Sequence, residues 1–167
     1  MKKAAEIALK YVGQQEKINN SGFKDENFEA RMDKVGWQFG QAWCAFFAEL
    51  VWKEAFPEKF KELDHLFNGG AVATWNNFSK NSDFVCDKVP EPGALVIWQN
   101  YKNGMPHWTG HVGIVVSVSE TSIISVEGNT NSKGGREGVE VAKKIRPLNF
   151  ETKQSGLVLK GFIKFKT

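Results

Sequence analysis

The stretch WCAFFAELVWKEAF, residues 43–56, keeps a helical period and is apolar on almost every side. Its only charges are Glu49, Lys53 and Glu54, and Glu49 and Lys53 are spaced as an i,i+4 ion pair. A helix that is apolar all round must be enclosed by the rest of its domain rather than laid on the surface. Pro57 ends it. The remainder of the chain is therefore expected to wrap this helix.

The two sides of the chain differ in kind. Residues 2–12 predict an amphipathic helix, with Ala4, Ile7, Ala8 and Tyr11 on one face, Lys3, Glu6 and Lys10 opposite, and Gly13 as its stop. Residues 17–42 are polar and aromatic without a period, so a long, mostly irregular segment is expected there. Two shorter helices are expected over 58–67 and 70–80. After Pro90 the character changes to strands: ALVIW (94–98), HVGIVVSV (111–118), SIISVE (122–127), VEVAKKI (139–145) and LVLKGFIKF (157–165). Turn-rich stretches separate them, QNYKNGMPHWTG (99–110) and GNTNSKGGREG (128–138) among them. Helices first and strands second predict an α+β fold, with N-terminal helices packed on an antiparallel β-sheet. No repeat, linker or low-complexity tail divides residues 1–167, so one domain is expected.

Charge excludes some partners. Twenty-two basic and 19 acidic residues leave a net +3, and no basic stripe or aromatic RNA-binding motif accompanies it, so nucleic acid is not expected. No apolar run approaches the ~18 residues of a membrane span. MKKAAEIALKYVGQQE opens with two lysines, but Glu6 and Lys10 interrupt the place of an apolar h-region, so no signal peptide is expected. Two cysteines, Cys44 and Cys86, make no disulfide framework and no CxxC pair.

A free cysteine among apolar neighbours is ordinarily a small core residue. Cys44, however, stands at the first turn of the buried helix, where unpaired N–H groups and the helix dipole stabilise a thiolate. Cys86, in NSDFVCDKVP, has no such setting. A nucleophilic cysteine needs a base, and three histidines are available. His65 lies on a short charged helix, His107 in a loop beside Pro106 and Trp108, and His111 at the start of the most apolar strand. HVGIVVSV and SIISVEGN are separated by Ser119, Glu120 and Thr121, which predicts a tight hairpin. A three-residue loop pairs Val118 with Ser122 and sets His111 opposite Asn129, with Glu127 diagonal to it on the same face. A two-residue loop would shift the register by one. In the first register a Cys–His–acid arrangement assembles, in which the histidine takes the thiol proton and the third group orients the ring.

WCAFF, PGALVIW, GHVGIVVSV, VEGN and the terminal GFIKF resemble, in order and spacing, the CHAP family of cysteine, histidine-dependent amidohydrolases and peptidases. These are papain-like relatives of the NlpC-type cell-wall peptidases, and the resemblance spans about residues 5–165. It implies a papain-like fold and hydrolysis of bacterial peptidoglycan, at the muramoyl amide or within the stem peptide or cross-bridge. On this resemblance Cys44 is the nucleophile, His111 the base, Glu127 its orienting partner and Asn129 a further polar group of the site. The N–H of Cys44 supplies part of an oxyanion hole, with Gln38 and Gln41 both candidates for the second donor. Some members hold calcium with acidic residues just before the cysteine. KVGWQFGQAWC has none between Asp33 and Cys44, so no metal and no cofactor are expected. With no signal peptide and no room for a separate wall-binding domain, the chain resembles phage lysis proteins or secreted effectors. It is expected to stay in the cytoplasm until release or delivery, to act as a monomer, and, as an effector, to have an immunity protein. A non-catalytic wall-binding or phage structural module of the same fold is the rival from another class. A thiol acyltransferase would use the same residues.

Other features carry less. GNTNSKGGREG lacks the spacing of a phosphate-binding loop and is expected to be a flexible loop beside the site. Trp52 and Trp98 are expected in the core. Trp37, Trp43 and Trp108, with His107, lie near the proposed site in sequence and are candidates for substrate contact, with packing as the alternative for the tryptophans. A zinc site from Cys44, Cys86, His107 and His111 matches no common zinc spacing.

Overall fold

The computed structural model describes residues 1–131 and 138–166. Among these, five α-helices pack on a six-stranded antiparallel sheet: α1 (Lys2–Lys10), α2 (Glu26–Lys34), α3 (Cys44–Ala55), α4 (Phe60–Leu66), α5 (Ala71–Phe78), β1 (Phe84–Asp87), β2 (Leu95–Lys102), β3 (Met105–Val118), β4 (Ser122–Thr130), β5 (Glu140–Pro147) and β6 (Ser155–Phe165). The strands lie in the order β1-β6-β2-β3-β4-β5. This is the expected α+β architecture, consistent with a papain-like fold.

The central helix is α3. It packs against α1, β3 and β4, and α2, α4 and α5 cover its other sides. Its apolar residues join those of Leu95, Ile97, Val112, Ile114, Val126 and Ile163 in the main core. Enclosure also takes in its charges. Glu49 and Lys53 are both buried and meet at 2.6 Å, and Lys53 reaches the exposed Asp64 at 2.5 Å. Pairing is what makes burying either group tolerable. Tyr11, Arg31 and Glu54 tie α1, α2 and α3 together, with the Tyr11 hydroxyl donating to the Glu54 carboxylate at 2.8 Å and Arg31 Nη1 donating to it at 2.6 Å. A second, smaller core lies on the other face of the sheet, where Ala94, Val96, Trp98, Val115, Ile123, Leu159 and Phe162 are covered by Leu148, Phe150 and Leu157.

Three expectations require correction. The mostly irregular segment 17–42 contains a helix that its lack of period did not predict, α2 over 26–34. Asp25 caps it, accepting from the N–H groups of Asn27 and Phe28, while Phe28 and Met32, one turn apart, bury its inner face. QNYKNGMPHWTG is no simple loop either. It continues β2 and β3 into a long hairpin that turns at Asn103 and Gly104, both at positive φ (53° and 73°). The hairpin between β3 and β4 has a four-residue loop, pairing Val118 with Ile123 rather than with Ser122. A bulge at Val116 then removes the offset, so that Val115 faces Ser125 and Ile114 faces Val126. Two one-residue departures cancel, and Gly113 and Glu127 arrive where the shorter loop would have put them. Of GNTNSKGGREG, residues 128–130 belong to β4, and 132–137 lie outside the described residues.

Gly128 shows how tightly α3 meets β4. A Cβ there would lie 2.6 Å from the Trp43 ring and 2.7 Å from Phe47 Cβ, both buried. Gly128→Ala is expected to destabilise the protein by about 1–3 kcal/mol through overpacking. That corresponds to a fall of roughly 2–10 °C in Tm. Thermal unfolding followed by circular dichroism measures it, and an unchanged Tm would mean that the start of α3 is not held against β4.

Candidate active site

Cys44 opens α3 and is almost wholly buried. The residue before it is doubly anchored. The N–H of Trp43 donates to Asn129 Oδ1 at 2.7 Å, and its indole Nε1–H donates to Glu16 Oε2 at 3.1 Å. The Trp43 ring packs edge-on against Phe23 at 5.0 Å. The first residue of the helix therefore has little freedom, and the Cys44 sulfur is set against β3. The backbone N–H groups of Ala45 and Val112 and the His111 side chain stand around it.

His111 lies on β3, where a run of β-branched residues favours the extended strand. Its Nε2 is 2.9 Å from Glu127 Oε2 on β4, which leaves Nδ1 for the thiol. The side chain of Glu127 reaches it because position 113 is glycine: a Cβ there would sit 2.7 Å from Glu127 Cγ. Glu127 is fully enclosed, at 0% exposure, and every approach to its carboxylate is occupied. Oε1 accepts from Ser125 Oγ at 2.6 Å and from Arg146 Nε at 2.8 Å, and Oε2 accepts from Arg146 Nη2 at 2.6 Å. The Trp98 ring lies beside His111, with centroids 5.8 Å apart, and beneath the Arg146 guanidinium at 5.2 Å.

Burial opposes every charge in this group, and pairing overcomes it. Burial pushes the Cys44 thiol up, but the hydrogen bond and charge of His111 together with the Val112 and Ala45 N–H groups bring it below the ordinary thiol range. Burial likewise disfavours an imidazolium at His111, yet Cys44 and Glu127 raise it to about 10. Glu127 is held down to about 2 against its own burial by Arg146 and His111. These shifts all favour a thiolate–imidazolium pair with a carboxylate behind it. Cys86 behaves in the opposite way, because burial and the neighbouring Asp87 raise it to about 11.

The pair opens into a cleft of about 440 Å³ that Lys17, Gly40, Gly110 and Asn129 help to line. Two hollows of similar size, about 460 and 510 Å³, lie around Arg31 and Glu54 and hold neither thiol nor histidine. Asn129 lines the cleft but does not bond to the imidazole. At φ 53° its side chain bridges Trp43 N–H and the Gly138 carbonyl, to which Nδ2 donates at 2.7 Å. Gln41 Oε1 accepts from the backbone N–H of Gln38 at 3.0 Å, and Gly40 and Ala42, rather than either glutamine, line the cleft.

Two substrate-contact candidates prove to be core. Trp37 is buried against Phe23, its Nε1–H donating to the Gln41 carbonyl, and Trp43 is buried at the head of α3. Neither can offer a ring face to a sugar. Trp108 is 79% exposed on β3, three residues before His111, with the His107 ring alongside at 5.5 Å. His107 Nδ1 is held by Thr109 Oγ1 at 2.7 Å. His65 is solvent-exposed. Among the described residues no group of three or more His, Cys, Asp or Glu could hold a metal ion. Ser125, Gly113 and Arg146 are the members of the site that the sequence did not single out. Ser125 was within reach, two residues from Glu127 on the same strand face.

The model of the CHAP domain matches residues 35–129, more than half of the chain, a span that contains Cys44, His111, Glu127 and Asn129. No curated protein and no solved structure matches. The chain belongs to the CHAP family, whose members are amidase- and peptidase-type hydrolases of peptidoglycan.

Proposed function

We propose that this protein cleaves an amide bond of bacterial peptidoglycan with Cys44 as nucleophile and His111 as acid and base. The observation that carries the reading is the buried Cys44–His111–Glu127 series at the start of α3, open to a cleft. Cys44 thiolate adds to the scissile carbonyl carbon, and the carbonyl oxygen takes the negative charge. The N–H of Cys44, which has no acceptor within the helix, is the donor proposed for that charge. His111 gives its proton to the departing amine as the C–N bond breaks, leaving a thioester on Cys44. Water then attacks the thioester, His111 takes the water's proton, and the thiolate leaves with the acid product released. Glu127 keeps the ring aligned through both proton transfers. Asn129 serves the reaction through the position of Trp43, and so of Cys44, rather than through the imidazole.

Muropeptide mass spectrometry on digested, purified peptidoglycan tests the reading. Wild type is expected to release fragments carrying a new carboxylic acid and a new amine at one amide. Cys44→Ala is expected to release none while remaining folded, and Cys86→Ser is expected to retain most activity. Equal loss in both variants, with folding intact, would rule out Cys44 as the sole nucleophile. Products carrying an added amine instead of a free acid would identify acyl transfer. EDTA is expected to leave the rate unchanged, and a drop restored by calcium would reveal a metal site.

Iodoacetamide labelling of Cys44 isolates the ion pair from the substrate. The reactive thiolate is lost as pH falls through the lowered Cys44 value, and the imidazolium is lost as pH rises through about 10. Wild type is therefore expected to label quickly at pH 7, where a free thiol of pKa ~8.5 is mostly protonated. His111→Ala is expected to slow labelling at pH 7 by at least about tenfold and to recover it at alkaline pH. Glu127→Gln should fall between the two. A labelling profile unchanged by loss of His111 would break the pair and turn attention to His107.

A further inference from the structure

We propose that Arg146 is a positioning residue of this site: by gripping both oxygens of Glu127 it keeps the carboxylate ionised and aimed at His111. The inference rests on Cys44, His111 and Glu127 being the reacting set, and is independent of which wall bond is cut.

A carboxylate with no exposure to water would ordinarily escape its burial by taking up a proton. A protonated Glu127 could no longer support an imidazolium. The charged groups that face it are His111 from β3 and Arg146 from β5, with Ser125 adding an uncharged donor from its own strand. His111 cannot hold Glu127 ionised by itself, because its own charge depends on Glu127 and on Cys44. Arg146 is charged at every working pH and breaks that circularity.

The geometry is that of an aimed group rather than a chance surface pair. β4 and β5 are already laddered from Ser122–Pro147 to Glu127–Ala142, so the strands need no ion pair to join them. Arg146 is paired with Ile123, and three residue pairs separate it from Glu127, which its side chain reaches by running back along the strand. Lys144 lies nearer in register but is committed to the Asn131 carbonyl. The Arg146 fork meets one carboxylate oxygen with Nε and the other with Nη2, a two-point grip that a lysine cannot reproduce. Trp98 lies against both the guanidinium and the imidazole, so one indole supports the two groups that flank Glu127.

The test is Cys44 labelling by iodoacetamide against pH in Arg146→Met and Arg146→Lys, with thermal unfolding of each variant as the check on folding. Loss of the grip lets Glu127 protonate nearer neutrality, so the acid limb of the profile should move to higher pH. At a pH on the wild-type limb, a shift of one unit is a fall of about tenfold in labelling rate. Arg146→Lys, keeping the charge without the fork, should shift less. A folded Arg146→Met with the wild-type limb would overturn the proposal. If Arg146→Met does not fold, Glu127→Gln is compared with the Glu127→Gln/Arg146→Met double variant, which carries no unpaired carboxylate. The two limbs should coincide, since Arg146 acts through Glu127. A further shift in the double variant would overturn the proposal in that case. Wild type that labels as expected but leaves peptidoglycan intact would defeat the wall-hydrolase reading alone.

Discussion

Burial opposes charge on Cys44, His111 and Glu127, and each of the three would be neutral if it stood there by itself. Charge survives because each ionised group is answered by another within hydrogen-bond reach, in a line from sulfur to imidazole to carboxylate to guanidinium. The low dielectric that makes isolated charges costly also strengthens these contacts, so the line is stable only when complete. This condition governs the surrounding structure. β3 must carry the histidine next to β4, β4 must carry the acid, and β5 must return an arginine to the same face.

The other requirement is that α3 begin at a defined place. Its enclosure by helices and sheet fixes its axis, and Asn129 and Glu16 fix its first turn by holding Trp43 at backbone and indole. Gly128 allows the helix start to approach β4, and Gly113 leaves room for the Glu127 side chain to approach β3. Both glycines are needed for what a side chain would displace rather than for an unusual backbone angle. The buried Glu49–Lys53 pair repeats the same electrostatic logic farther along the helix. There its partner Asp64 lies on α4, away from any thiol, and the pair serves packing.

Much of this was legible in the chain. Apolar periodicity around residues 43–56 marked the buried helix, and the later β-branched runs marked the sheet. Helix α2 was readable as well, through Asp25 as a cap and Phe28 and Met32 one turn apart, but it was lost within a longer aperiodic window. The register of β3 on β4 could be counted from the hairpin loop, and the count reached Glu127 although the loop was one residue longer than expected. The bulge at Val116 has no sequence mark, since it arises from how the twisted strand meets its neighbour. Arg146 was beyond reach for a related reason: β4 and β5 are joined by a long connection, which leaves no loop from which to count register. The tryptophans show a different limit. Trp37 and Trp108 both stand near site residues in sequence, and only the tertiary packing buries one and exposes the other.

The roles of Glu127 and Asn129 follow from the backbone between them. Counted along an ideal strand, both side chains belong to the face of His111, and either could serve the imidazole. At Asn129 the φ of 53° ends the alternation, and β4 departs from regular pairing with β5 between Glu127 and Thr130. Asn129 is thereby turned toward the head of α3, where its oxygen meets an N–H that the helix cannot satisfy. Glu127, still in the regular strand, remains on the histidine's face with Ser125 beside it. One acid and one amide two residues apart therefore divide the work, the acid holding the imidazole of His111 and the amide holding the head of α3 that carries Cys44. The turn of a single residue into the left-handed region separates these tasks, and asparagine tolerates that conformation better than most side chains.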